Sequence, residues 1–241
     1  MDAVMDATER PGGSRLIVAV DGPSGAGKGA VCRAVADRFG LAYLETGSIY
    51  RAVGLLALRQ GLSDPEAVAA QAAAMRFAFR RTPTGLYQAF LDDEEVTAAL
   101  RQEEVGIAAS WYAALPQVRA ALLRFQRQYG APGPAILDGR DVGTIVFPQA
   151  TLKIFLTASL DERAKRRFQE LQQAGEAVSF QEIYTQMAQR DARDSGRTHG
   201  PLVPAADAIR IDTTHLTLSE SINRVAEWVG KAMAGQSVAT D

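Results

Sequence analysis

The sequence predicts an α/β domain on a doubly wound parallel sheet, and three observations carry that prediction. Short apolar runs alternate along the chain with segments of helical spacing. The runs at residues 16–20, 134–138 and 151–156 have few polar interruptions, as strands buried on both faces require. A glycine-rich loop stands between the first run and the first helix, at a strand end, where open sheets of this kind place ligands.

That loop reads Asp21-Gly22-Pro23-Ser24-Gly25-Ala26-Gly27-Lys28-Gly29-Ala30 and fits G-x-x-x-x-G-K-[ST] through Lys28. In this motif exposed backbone N–H groups and the helix N-terminus cradle phosphates, and the lysine reaches the outer ones. The last position departs from the pattern. Gly29 brings no hydroxyl, and neither does Ala30. A glycine-rich turn without a ligand is the alternative; phosphate binding is the better account.

Val31, Ala34, Val35 and Arg38 fall at helical spacing, and Gly40 is placed to end that helix. Residues 41–44 form a second strand, after which the chain turns into a helix running to Gly61. Thr46 stands where its N-cap belongs. Arg51 lies within reach of whatever occupies that helix N-terminus, or is simply exposed. Residues 62–105 change texture and read as an insertion in the main sheet. Within it, runs at 75–81 and 86–91 flank a Pro/Gly turn as a hairpin, and the acidic residues 92–95 read as a solvated turn rather than a metal site. Residues 106–129 are helical with a break near Pro116, and they carry Ser110 and Arg119.

Asp138 ends the buried run at 134–138, and Gly139-Arg140-Asp141-Val142-Gly143-Thr144 follows it. Ser159-Leu160-Asp161-Glu162 is a capping box opening a helix on which Arg163, Arg166 and Arg167 share a face. That face is either solvated or turned to a phosphate. A second box, Ser179-Phe180-Gln181-Glu182, opens a helix to about residue 193. Arg190 and Asp194 are four apart and Arg197 is three further on, but Gly196 suggests a frayed end with Arg197 in a mobile loop. Residues 208–212 are a last strand, and Thr217-Leu218-Ser219-Glu220 caps the terminal helix.

Composition narrows the function. A net charge of −2 argues against a nucleic-acid polymer as partner, so any anion site must be a local arginine cluster. No run reaches the length of a membrane span. Residues 1–14 lack the apolar core of a signal peptide and read as a disordered tail. Cys32 is the one cysteine, which points to a reducing, cytoplasmic setting; it reads as a small buried residue, with a reactive thiol as the alternative. His199 and His215 are the only histidines, and neither belongs to a recognisable triad. A phosphate loop, an acid at a strand end and many arginines are what phosphoryl transfer requires, since that chemistry needs positioning, a metal ion and positive charge but no protein nucleophile.

Five stretches together resemble the bacterial cytidylate kinases. They are the loop at residues 21–29, Thr46-Gly47-Ser48-Ile49-Tyr50-Arg51, residues 138–144, Arg190-Asp191-Ala192-Arg193-Asp194, and Pro201-Leu202-Val203-Pro204-Ala205-Ala206-Asp207-Ala208. The resemblance spans residues 16–228. It implies a P-loop kinase core at 15–61 and 106–241, a monophosphate-side insertion at 62–105, and a short lid at about 179–200. It implies transfer of a phosphoryl group from ATP, with Mg2+, to CMP or dCMP by a monomer. Gly22, Pro23, Ser24, Gly25, Ala26, Gly27, Lys28, Gly29 and Ala30 would hold the ATP phosphates, with Arg163 and Arg167 nearby. Thr46, Arg51, Arg140 and Arg197 would clamp the CMP phosphate. Ser110, Arg119 and Asp141 would meet the cytosine, and Arg190 with Asp194 the sugar. Lys28, Arg140, Arg190 and Arg197 would be the catalytic cations. Because Ala30 replaces a threonine common at that place, Ser24 and Asp138 are left as candidates to hold the metal through water. A kinase for another small acceptor, such as shikimate or dephospho-coenzyme A, and a nucleotide-dependent switch are the competing readings.

Overall fold

The computed structural model describes residues 16–130 and 132–236; the expected N-terminal tail lies outside the described residues. Five strands form an all-parallel sheet: β1 (Ile17–Asp21), β2 (Ala42–Glu45), β6 (Ala135–Gly139), β7 (Leu152–Thr157) and β8 (Ile209–Asp212), in the order β2-β6-β1-β7-β8. β1 is the middle strand, and its residues alternate between two apolar layers. Ile17 and Ala19 enter a core shared with α2 (Thr46–Gln60), α4 (Glu103–Tyr112) and α5 (Pro116–Gly130). Val18 and Val20 enter the other, shared with α1 (Lys28–Phe39) and α8 (Leu218–Met233). This double burial is why the strands read as unbroken apolar runs. Among the described residues, no helix is long and apolar enough to cross a membrane.

Register sets the site. Asp21 lies beside Gly139 and Phe155, and Glu45 beside Asp138, so the strand ends finish level along one rim. A helix pair, α6 (Leu160–Gln173) and α7 (Phe180–Ser195), packs on its own small core of Ala164, Leu171, Ile183 and Met187 and overhangs that rim. Ser179 and Thr217 form the expected capping boxes for α7 and α8. The box expected at Ser159 is only half made. Its hydroxyl accepts the Glu162 N–H, but the Glu162 carboxylate is drawn to Arg166 four residues on, and the Ser159 N–H goes to Thr214 instead.

The expected hairpin is present as β3 (Phe77–Arg81) and β4 (Tyr87–Leu91), extended by the two-residue β5 (Glu94–Glu95); α3 (Pro65–Ala74) precedes it. Asp92 and Asp93 occupy the left-handed region at φ 49° and 72°, which makes the acidic stretch a tight turn. Its charges face outward to Arg76 and Arg59. β2 is an edge strand, and its Tyr43 carbonyl accepts the Tyr129 hydroxyl at 3.1 Å, a hydroxyl shared with the Phe79 carbonyl of the hairpin at 3.1 Å. Tyr129→Phe should therefore cost about 1–2 kcal/mol in urea unfolding, the scale of a half-buried carbonyl left without its donor. An unchanged midpoint would show that water replaces the hydroxyl freely.

Candidate active site

The loop after β1 folds as its glycines allow. Gly22, Gly25 and Gly27 have φ of 152°, 77° and 84°. A Cβ at Gly22 would overlap the carbonyl oxygen of Leu156 on β7, so a side chain there would push the loop off the sheet. The first turn of α1 has no side-chain cap, which leaves its N–H groups to the cleft. Lys28 is buried, and its Nζ donates to the Pro23 carbonyl at 2.8 Å. Burial, together with Arg140, brings its pKa down to about 7. Ser24, Lys28, Asp138, Arg140 and Arg167 share the walls of one cleft of about 470 Å³, a size ordinary for small-molecule sites.

Arg163, expected near ATP, stands behind the loop rather than on the cleft wall. It is buried and fully spent: Nε donates to the Ala158 carbonyl at 2.9 Å, Nη1 to the Ser24 carbonyl at 3.0 Å and Nη2 to Asp191 at 2.6 Å. It braces the loop backbone. Arg167 and Arg166 do line the cleft, and Arg166 also donates to the Thr213 carbonyl at 2.6 Å.

On the opposite side, Thr46 is the first residue of α2, whose N-cap is Glu45, and so it is not the cap expected of it. Its hydroxyl donates to the Asp138 carbonyl at 2.8 Å and ties the ends of β2 and β6 together. Arg51 lines the cleft and donates to the Leu100 carbonyl at 2.7 Å, with its pKa lowered by burial. Asp194, 1% exposed, accepts from Arg140 Nε at 2.9 Å and from Arg197. Burial alone would raise its pKa, but Arg140 and Arg197 outweigh burial and hold it below the usual range. Arg190 stands close by, its pKa pushed down to about 10 by burial and by Arg140. Among the described residues, Nε of Arg190 and of Arg197 are buried without a hydrogen-bond partner. A buried donor of this kind is satisfied by an acceptor oxygen brought to it.

Arg197 therefore departs from the mobile loop expected of it. α7 runs on to Ser195 before Gly196, which leaves Arg197 over Asp194 with a side chain only 6% exposed. The Leu202 N–H, bonded to the Asp194 carbonyl at 2.8 Å, holds the following loop down. Ser110, Arg119 and Asp141 meet in a smaller adjoining pocket with Thr46, Tyr50 and Arg197. Arg119 and Asp141 form an ion pair there, and Arg193 Nε donates to the Ser110 hydroxyl at 3.4 Å. Burial raises the Asp141 pKa, while Arg119 opposes it.

Sequence reading did not single out Asp191, Arg193 or the side-chain role of Asp21. Asp191 and Arg193 belong to the stretch Arg190-Asp191-Ala192-Arg193-Asp194 that carries part of the resemblance, which is their signal in the sequence. Nothing local announces that Asp191 meets Arg163 from another helix.

Residues 18–231 match the family model described as cytidylate kinase. The chain is similar to a cytidylate kinase of Magnetococcus marinus, with 54% identity over 219 residues that cover 91% of this chain and 97% of that protein. It is similar to a cytidylate kinase of Dichelobacter nodosus, with 46% identity over 88% of this chain and 95% of the other. A bifunctional pantoate ligase/cytidylate kinase of a Synechococcus strain shares 48% identity over 88% of this chain, which spans 40% of that larger protein.

Proposed function

The chain belongs to the cytidylate kinase family, and from that premise we propose that it transfers the γ-phosphoryl group of ATP to CMP or dCMP, giving ADP and CDP or dCDP. The single observation that carries the reading is the cleft itself: a phosphate loop with Lys28 lines the same space as Arg51, Arg140 and Arg190. Two polyanions brought end to end in that space would have their phosphates in line. Transfer then needs orientation and charge, and no protein nucleophile.

The loop amides and Lys28 hold the donor phosphates, with Arg167 and Arg166 beside them. Arg51, Arg140 and Arg197 take the acceptor phosphate, and Thr46 fixes the strand ends beneath it. In the free protein Asp194 keeps Arg140 and Arg197 aligned, so little reorganisation is left for the moment of binding. Arg190 sits between the two phosphate sites and is placed to follow charge from one to the other.

Magnesium fits the oxygen donors present. Asp138 and Ser24 share the cleft wall with Lys28, and an ion that keeps most of its waters suits two such groups acting through water. The metal would neutralise the donor phosphates.

The base reading rests on Asp141, Arg119 and Ser110. Cytosine offers an amino donor beside two acceptors, which a carboxylate and an arginine complement; uracil presents a carbonyl to the carboxylate. ADP formation from ATP with CMP, dCMP, UMP, AMP and shikimate tests the assignment. CMP and dCMP are expected to dominate. Asp141→Ala should narrow the CMP preference over UMP by at least about tenfold, mostly through loss of CMP turnover. An unchanged ratio would reduce the Arg119–Asp141 pair to a structural one.

A further inference from the structure

Asp21 ends β1 one residue before the phosphate loop, yet its side chain serves a different segment. Oδ1 accepts the Val142 N–H at 2.7 Å, and Oδ2 accepts the Gly143 N–H at 2.7 Å. The residue is 4% exposed. Both oxygens are committed to the backbone that follows Arg140 and Asp141.

That backbone needs an outside hold. Pairing between β1 and β6 stops at Asp21 and Gly139, so residues 140–143 lie past the end of the sheet. Residues Val142–Val146 then make a single π-helical turn. Its own bonds run from the Ile145 and Val146 N–H groups to the Asp141 carbonyl, and from the Phe147 N–H to the Val142 carbonyl. The first amides of the turn have no partner within it. Asp21 supplies two acceptors for them. Gly139 and Gly143 leave its carboxylate room to reach them, since a Cβ built at either would lie 3.7 or 3.4 Å from its oxygens.

We propose that Asp21 is a positioning residue for the acceptor nucleotide: by gripping the amides of Val142 and Gly143 it sets where Arg140 and Asp141 stand. It acts on the site opposite the loop it introduces. The inference rests on the acceptor roles given to Arg140 and Asp141 above. Only a carboxylate does this without conflict, because both its oxygens accept and neither donates. An asparagine of the same size keeps one bond and turns an N–H toward the other peptide N–H.

The test compares the full-length wild type with Asp21→Asn. Calorimetry gives the Kd for CMP alone and for an unreactive ATP analogue alone, and turnover gives kcat/KM for CMP and UMP. CMP should bind at least about tenfold more weakly, the scale of a displaced substrate-positioning group, with the analogue's affinity unchanged and the preference for CMP over UMP reduced. A merely structural carboxylate would lower both affinities alike, or neither, and either result overturns the inference. Should Asp21→Asn fail to fold, amide exchange in the wild type decides. Val142 and Gly143 should gain protection with CMP and not with the analogue, and an equal or reversed gain overturns the inference. A wild type that binds no CMP fails the acceptor reading instead, so the two failures are distinct.

Discussion

Lys28→Ala is expected to lower kcat by about 10²–10³-fold, or about 3–4 kcal/mol on the barrier, as when one preorganised donor is lost from a charged transition state. The side chain is buried on the cleft, and among the described residues its Nζ donates to the Pro23 carbonyl alone. That bond holds the ammonium within the loop until phosphates arrive. Affinity for CMP should stay close to wild type, because the acceptor arginines are untouched. The same burial makes a second readout. Burial and Arg140 lower its pKa, and donor phosphates favour its charged form. Binding an unreactive ATP analogue at pH 8 should therefore take up a proton, so that the binding enthalpy varies with the ionisation enthalpy of the buffer. Lys28→Ala should remove that dependence. Turnover near the wild-type rate in a folded Lys28→Ala protein would defeat the phosphoryl-transfer role.

Asp194→Ala is expected to cost about 3–5 kcal/mol of stability, the scale on which removing one partner of a buried ion pair strands the other. Here it would strand two, Arg140 and Arg197, with Arg190 beside them. Urea unfolding measures the loss. Inorganic phosphate should restore part of it, and should stabilise the variant more than the wild type, because an anion can replace the missing carboxylate. A loss under about 1 kcal/mol, the scale of an exposed pair, would mean that the arginines simply swing into water.

What was legible in the sequence was local. Unbroken apolar runs and helical spacings report burial by neighbours in the same element, and the β–α alternation follows from them. The glycine-rich loop is likewise a property of consecutive residues. Failures came where a side chain answered to a distant element. Thr46 looked like a cap because hydroxyls favour that place, but α2 begins one residue earlier than expected, with Glu45 at the cap position, and the Thr46 hydroxyl donates to the Asp138 carbonyl. Glu162 could not complete its box because Arg166 competed for it. Arg197 looked mobile after a glycine because nothing nearby shows that α7 delivers Asp194 beneath it. Arg163 shared a helix face with Arg166 and Arg167, yet it lay on the buried side and spent itself on Ser24 and Asp191. The abundance of arginines was thus legible, while the sorting of those that line the cleft from those that brace the backbone depended on contacts between elements.

The placing of β1 between two late strands also bears on how the protein is made. A nascent chain that has reached Gly130 already contains the entire glycine-rich motif, yet β1 then has a partner strand on neither side. The bonds that tie Asp21 to the far segment span 121 and 122 residues, the kind of long closure that slows folding. The brace from Arg163 to Ser24 spans 139. The feature written first in the chain is accordingly among the last to be built, and a ribosome-bound fragment that ends before β6 should show no nucleotide affinity despite carrying every residue of the loop.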